Sequence, residues 1–66
     1  MELTVNGEAI QVADVSTVGA LLDYFRVSHQ AVAVIANGVI VARDVFEQHP
    51  IQAKDIVEII RFVGGG

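Results

Sequence analysis

The residues of this 66-residue chain that could most clearly take part in a reaction are its last four, Val63-Gly64-Gly65-Gly66. Glycine has no side chain and adopts backbone conformations that are closed to other residues. We therefore expect Gly64, Gly65 and Gly66 to form a thin, flexible tail that can enter a narrow active site. The α-carboxylate of Gly66 is ionised at neutral pH and is a poor electrophile. Acyl chemistry at this end therefore requires that the carboxylate first be activated.

The other reactive side chains form no recognisable catalytic or metal-binding pattern. The chain has no cysteine, and His29 and His49 lie too far apart in sequence for metal-ligand spacing, so we expect surface or loop histidines. Asp44 and Glu47 fall in a predicted loop and have no partner nucleophile. We therefore predict no catalytic residue, no metal ligand and no enzymatic activity.

Composition and charge argue against several classes of function. Eight acidic and four basic residues give a net charge of −4, and no basic cluster is present. We therefore predict no binding to nucleic acid. The longest apolar run, residues 31–36, is far shorter than the roughly 20 residues that a transmembrane helix needs. The N-terminus lacks the pattern of a signal peptide, and we expect a cytoplasmic protein that binds no membrane.

Hydrophobic periodicity predicts the elements that must position the tail. Alternation over residues 2–5 and 8–12 predicts two strands, joined by a hairpin turn at Asn6-Gly7. Apolar residues at i, i+3, i+4 and i+7 from Val18 predict one helix, capped by Thr17 or Ser16. We expect that helix to end around residues 26–29. Further strands are predicted over residues 32–36, 39–41 and 56–63.

Gly19 and Pro50 are the residues that fit a regular element least well. Glycine lowers helix propensity by roughly 1 kcal/mol relative to alanine. We therefore expect Gly19 to allow a close approach between the helix and a strand. Pro50 argues against a regular element over residues 46–51, and Lys54-Asp55 is predicted to be a turn.

The order of these elements limits the fold. One helix must bury its apolar stripe against one face of a four- to five-stranded sheet. The first and last strands are apolar, and we expect them to pair at the centre of a mixed sheet. This arrangement is the β-grasp, or ubiquitin-like, fold of the α+β class. A small open α+β sandwich of another topology uses the same elements. We expect residues 1–63 to form the domain and residues 64–66 to form the flexible tail.

The last predicted strand carries a candidate docking surface. Alternation places Glu58, Ile60 and Phe62 on one face, and the charge of Glu58 predicts that this face is exposed to solvent. Ile35 joins them if its own strand presents it outward. An apolar patch beside a reactive end is typical of a partner-docking site, although scattered surface residues give the same pattern.

Several short motifs follow one another along nearly the whole chain. They are Asn6-Gly7-Glu8, Thr17-Val18 with Leu21-Leu22, Asn37-Gly38 before Val39-Ile40-Val41, Arg43, Asp55 to Ile59, and the ending Val57 to Gly66. In this order they resemble the ThiS family, the small sulfur carriers of thiamin biosynthesis. The chain departs from the family in two connections, where Ala42 replaces a frequent proline and Lys54 a frequent glycine.

The resemblance implies a specific chemistry at Gly66. A ThiF-type enzyme, using ATP and magnesium, would adenylate the carboxylate, and sulfur would then replace AMP to give a thiocarboxylate. A ThiG-type thiazole synthase would take the sulfur and return the carboxylate. The carrier itself would bind no cofactor. Three alternatives stay open: a MoaD-like small subunit of molybdopterin synthase, a protein-tagging modifier, and a plain interaction module.

Overall fold

The computed structural model describes residues 1–62. Over this range the chain forms five strands, one α-helix and two short 3-10 helices, His29–Ala31 and Arg43–Val45. The main elements in chain order are β1 (Glu2–Val5), β2 (Glu8–Gln11), α1 (Val18–Tyr24), β3 (Val32–Ala36), β4 (Val39–Val41) and β5 (Ile56–Arg61).

The five strands form a mixed sheet in the order β2-β1-β5-β3-β4. β1 and β5 are parallel, whereas the β1–β2, β3–β5 and β3–β4 pairs are antiparallel. The first and last strands therefore pair at the centre of the sheet, as predicted. This topology confirms the β-grasp fold and excludes an open sandwich of another topology.

Helix α1 packs on one face of this sheet through its apolar stripe. Val18, Leu21 and Leu22 are fully buried. The Thr17 hydroxyl oxygen accepts a hydrogen bond from the Ala20 N–H at 3.1 Å, so Thr17 rather than Ser16 is the N-cap. The inward residues of β1, β3 and β5 complete the core against the helix: Leu3, Val5, Val32, Val34, Ala36 and Val57.

The helix ends at Tyr24, two residues earlier than the predicted range. Arg26 adopts a positive φ of 59°, which ends the helical conformation. The Arg26 N–H donates to the Asp23 carbonyl at 3.0 Å, and the Val27 N–H donates to the Leu22 carbonyl at 3.1 Å. This pair of hydrogen bonds is a Schellman motif, which commonly closes a helix. The sequence does not indicate this cap, because the residue in the left-handed backbone conformation is usually glycine and here it is Arg26.

The expectation for Gly19 was wrong about its neighbour. The Gly19 N–H donates to the Phe46 carbonyl at 2.8 Å, and a Cβ at Gly19 would lie 2.5 Å from a carboxylate oxygen of Glu47. The close approach is therefore to the irregular connection after β4, not to a strand. Phe46 itself is buried in the core, so this connection packs against the start of the helix.

Within the described residues, the final strand does not include Phe62, which the prediction placed in it. β5 ends at Arg61, and the Phe62 N–H still donates to the Ala31 carbonyl at 3.0 Å. Val63, the predicted last residue of the strand, lies outside the described residues. Within residues 1–62, no helix is long and apolar enough to cross a membrane.

Candidate functional site

The candidate site begins with β5, the strand that leads into the predicted tail. Its inward residue Val57 is fully buried, and β1 and β3 pair with it on both sides. Gly64, Gly65 and Gly66 lie outside the described residues, so the predicted sulfur-carrying end stays a prediction. The structure defines the strand from which that end departs and the surfaces around its exit.

Two asparagine side chains hold β5 from its two edges. Asn6 Oδ1 accepts a hydrogen bond from the Ile59 N–H at 2.8 Å, and Asn6 Nδ2 donates to the Ile59 carbonyl at 3.3 Å. Asn37 Oδ1 accepts from the Ile56 N–H at 2.9 Å. Both residues precede a glycine in a hairpin turn, and both have a positive φ of 51°. Each Asn-Gly turn therefore also anchors the last strand.

Sequence reasoning identified these two asparagines only as turn residues. The i+1 position of such a turn favours asparagine because it tolerates positive φ. The second role depends on β5 lying within reach of both turns. Only the strand order produces that proximity, since Asn6 and Ile59 are 53 residues apart in sequence.

The outward face of the sheet exposes apolar side chains near the exit of β5. Ile60 is 47% exposed and Phe62 is 55% exposed, in line with the predicted alternation. Ile35 is half-buried and pairs across the sheet with Glu58, which places both on the outward face. The exposure expected of Ile60 and Phe62 is therefore present, and their docking role stays a prediction.

Sequence reasoning missed Ile40, the most exposed isoleucine in the described part of the chain at 76%. Ile40 pairs directly with Ile35. We call Ile35, Ile40 and Ile60 the outer-face patch. The hairpin turn at Asn37-Gly38 was a usable signal, because a two-residue turn fixes which residues of its two strands face each other.

A second cluster joins three segments on the helix side. His29 Nε2 lies 2.8 Å from Asp23 Oδ1, and His29 Nδ1 lies 3.4 Å from Glu47 Oε1. Among residues 1–62, Asp23, His29 and Glu47 are the side chains whose possible metal-ligating atoms lie close together, within 4.8 Å of one another. Each ring nitrogen already faces a carboxylate, so the arrangement links α1, the first 3-10 helix and the connection after β4. No sequence pattern indicates this cluster, because Glu47 lies far from Asp23 and His29 in the chain.

Arg43 acts as a structural tie beside this cluster. Its Nε donates to the His29 carbonyl at 3.2 Å, and its Nη2 donates to the Val32 carbonyl at 3.4 Å. Both acceptors lie where the first 3-10 helix enters β3. The guanidinium therefore satisfies one backbone carbonyl in the first 3-10 helix and one at the start of β3.

The fold and the position of β5 define the class of protein: a β-grasp domain whose last described strand lies at the centre of the sheet. The crystal structure of the thiamine biosynthesis protein ThiS from Geobacter metallireducens has a TM-score of 0.83 and 35% identity, with both chains covered completely. The NMR structure of a thiamine biosynthesis protein from the same organism has a TM-score of 0.82 and 35% identity. That comparison covers 100% of this chain and 88% of the other.

A match to the ThiS family extends over residues 1–66, and the chain belongs to that family. The solved relatives from Geobacter metallireducens are named as thiamine biosynthesis proteins. A thiazole synthase from Paramagnetospirillum magneticum is 38% identical over 66 residues, covering all of this chain and 20% of that protein. The chain therefore spans about a fifth of the length of this relative.

Proposed function

We propose that this protein carries sulfur as a thiocarboxylate on Gly66 and gives it to a thiazole synthase in thiamin biosynthesis. The observation that carries the proposal is the extent of the family match, which continues through residue 66 and so includes the three glycines. The anchoring of β5 by Asn6 and Asn37 supports it, because a reactive end needs a fixed base.

The proposed chemistry has two steps, the first at the α-phosphorus of ATP and the second at the carboxyl carbon of Gly66. A carboxylate oxygen of Gly66 attacks the α-phosphorus of ATP, and pyrophosphate leaves to give an acyl adenylate. Hydrosulfide (HS⁻) released by the sulfur source then adds to the acyl carbon, and AMP leaves with the electron pair of the broken C–O bond. The thioacid formed in this way loses its proton to give the thiocarboxylate. Activation is required because the free carboxylate is a poor electrophile.

In this proposal the protein is a co-substrate and not an enzyme. It supplies the reacting carboxylate and a docking surface, and a ThiF-type partner supplies ATP, magnesium and catalysis. Ile35, Ile60 and Phe62 form the docking residues, and Ile40 extends the same surface. An apolar surface next to the exit of β5 would hold the domain while the tail occupies the partner's active site.

The thiazole synthase of Paramagnetospirillum magneticum supports a ThiG-type partner. One fifth of that protein is similar to this whole chain. Two domains joined in one polypeptide encounter each other at a high effective concentration. Such a fusion favours domains that act on each other. We therefore propose that thiazole synthase receives the sulfur from this carrier.

Intact-mass spectrometry tests the proposal. The protein is incubated with ATP, magnesium, the ThiF-type enzyme and a sulfur source, and we expect the mass gain of one oxygen-to-sulfur exchange. Gly66→Val serves as the matched variant and should gain no sulfur, because its side chain blocks a narrow site. Adding thiazole synthase together with its sulfur-accepting substrate should return the original mass. A wild-type protein that forms neither adenylate nor thiocarboxylate contradicts the proposal, and so does sulfur transfer only to a molybdopterin precursor.

A further inference from the structure

A groove of about 270 Å³ lies where the end of α1 meets the end of β5. Val27 and Ala31 contribute apolar surface, and Phe62 borders it at the exit of the last strand. Arg26 and Arg61 also line it, and both are exposed. Arg61 pairs with the inward-facing Val32, so its side chain lies on the helix side of the sheet, beyond the end of the helix. The groove therefore combines an apolar surface with two guanidinium groups.

Arg26 occupies a position that glycine usually fills. It is the first residue beyond the helix cap and has a φ of 59°. Three of the five non-glycine residues with positive φ in residues 1–62 are Asn or Asp, which tolerate this conformation. The other two are Arg26 and Lys54, whose long side chains bring no such advantage. At Arg26 the left-handed backbone places a guanidinium at the edge of the groove.

The distribution of positive charge singles out this groove. The chain has four basic residues and a net charge of −4. Arg43 donates to two backbone carbonyls, and Lys54 precedes β5 at the end opposite to Arg61. The two remaining cations, Arg26 and Arg61, both line the groove, and neither forms a salt bridge with another residue of the 1–62 range. A concentrated positive site on an acidic protein favours an acidic ligand.

We propose that this groove binds an acidic segment of a partner protein, with a Glu or Asp side chain between Arg26 and Arg61 and an apolar side chain against Val27 and Ala31. The inference rests on the proposed function, since the partners are the enzymes that act on Gly66. Phe62 borders the groove at the point where the tail leaves the domain. The groove would therefore orient the exit of the tail, in addition to the contact made by the outer-face patch.

Binding measurements with matched glycine variants test the groove. Arg26→Gly removes the guanidinium and relieves the left-handed backbone, so the melting temperature should stay the same or rise. Affinity for the ThiF-type enzyme or thiazole synthase should nevertheless fall roughly tenfold, with a weaker dependence on salt. Arg61→Gln should have the same effect on affinity. Lys54→Gly makes the same change at the opposite end of β5 and should bind as the wild type does.

Wild-type affinity of Arg26→Gly and Arg61→Gln for both enzymes overturns the inference, as does an equal loss for Lys54→Gly. Intact-mass analysis of the same samples separates this failure from failure of the proposed function. If wild-type protein and both arginine variants gain sulfur equally and bind equally, the groove proposal fails and the carrier proposal holds. If wild-type protein gains no sulfur, the carrier proposal fails.

Photo-cross-linking tests the acidic ligand directly. A benzoylphenylalanine replaces Ala31, an exposed residue that lines the groove, and the protein is irradiated with each of the two enzymes. We expect the cross-linked partner peptide to contain Glu or Asp, and we expect Arg26→Gly with Arg61→Gln to reduce the yield. A cross-linked peptide without an acidic residue, or no cross-link to either enzyme, overturns the inference.

Discussion

Asn6 and Asn37 each combine a local and a long-range role. Their positive φ forms the turn, and their side chains replace ladder hydrogen bonds at the two edges of β5. Backbone groups at those points would otherwise depend on water. Two side chains whose identity the turns already favour therefore anchor β5, one at its first residue and one at Ile59.

Removal of the Asn6 side chain should destabilise the domain without disturbing its turn. Asn6→Gly keeps the positive φ accessible and loses both hydrogen bonds to Ile59, so the free energy of unfolding should fall by about 1 kcal/mol. Asn6→Asp retains an oxygen acceptor for the Ile59 N–H and should lose less. Urea denaturation measures both values. An equal free energy of unfolding for Asn6→Gly and wild type would show that hydrogen bonds to water fully replace those between Asn6 and Ile59.

Two exposed isoleucines on β5 allow a matched test of docking. Ile60 lies near the exit of the strand, and Ile56 lies on the same face at its start, with 47% and 57% exposure. Ile60→Ser should weaken binding to a partner enzyme roughly tenfold, as should Phe62→Ala, because buried apolar anchors dominate docking energy. Ile56→Ser should have little effect on binding.

Stability serves as the control in that comparison. Each serine variant should lose a similar amount of free energy of unfolding, about 1 kcal/mol or less, because both residues are exposed on the same strand. Calorimetry measures affinity and thermal denaturation measures stability. Unchanged affinity of Ile60→Ser and Phe62→Ala for both enzymes would rule out the predicted docking surface.

At the scale of elements, the predicted strands and helix are confirmed and their ends are less well predicted. Periodicity locates α1, β3 and β4 because one buried face imposes it on consecutive residues. The helix end depends on Arg26, whose left-handed conformation no local pattern indicates. Gly19 was expected to accommodate a strand, and it accommodates the connection that carries Glu47.

Alanine at Gly19 tests the importance of that close approach. The three atoms nearest to the added Cβ would all belong to the carboxylate of Glu47, the far end of a flexible side chain that is 67% exposed. Displacing it would sacrifice the His29–Glu47 contact, which is worth little at the surface. The gain in helix propensity should prevail, and Gly19→Ala should raise the free energy of unfolding by about 0.5 kcal/mol.

The variant Glu47→Ala provides the control for Gly19. In that background the obstructing carboxylate is absent, so the gain from Gly19→Ala should be larger, and a double-mutant cycle measures the difference. Denaturation in urea gives all four values. A loss of stability in both backgrounds would mean that the backbone of α1 must move to accept the methyl group.

At the scale of the whole molecule, the domain has two surfaces that meet at the exit of β5. The outer-face patch is apolar and lies on the open side of the sheet, whereas the groove with Arg26 and Arg61 lies at the end of the helix side. Phe62 stands where the strand ends between them. The remainder of the chain carries most of the acidic residues and no comparable pair of cations within residues 1–62.

Deletion of residues 64–66 should separate folding from function. The buried apolar residues of the described chain lie between Leu3 and Val57, so the melting temperature of the shortened protein should equal that of the wild type. The shortened protein should form no thiocarboxylate in the intact-mass assay. It should still bind the ThiF-type enzyme through the outer-face patch. A lower melting temperature would show that the last three residues contribute to the fold.

The sequence by itself determined the periods of the strands and the helix, the two Asn-Gly turns and the glycine ending, because each depends on neighbouring residues. It also predicted the exposed face of β5 from the alternation around Glu58. Only the tertiary structure decided which distant residues meet: Asn6 with Ile59, Gly19 with Glu47, His29 with two carboxylates, and Arg26 with Arg61 at one groove. These contacts depend on strand order and helix placement, which local patterns do not encode.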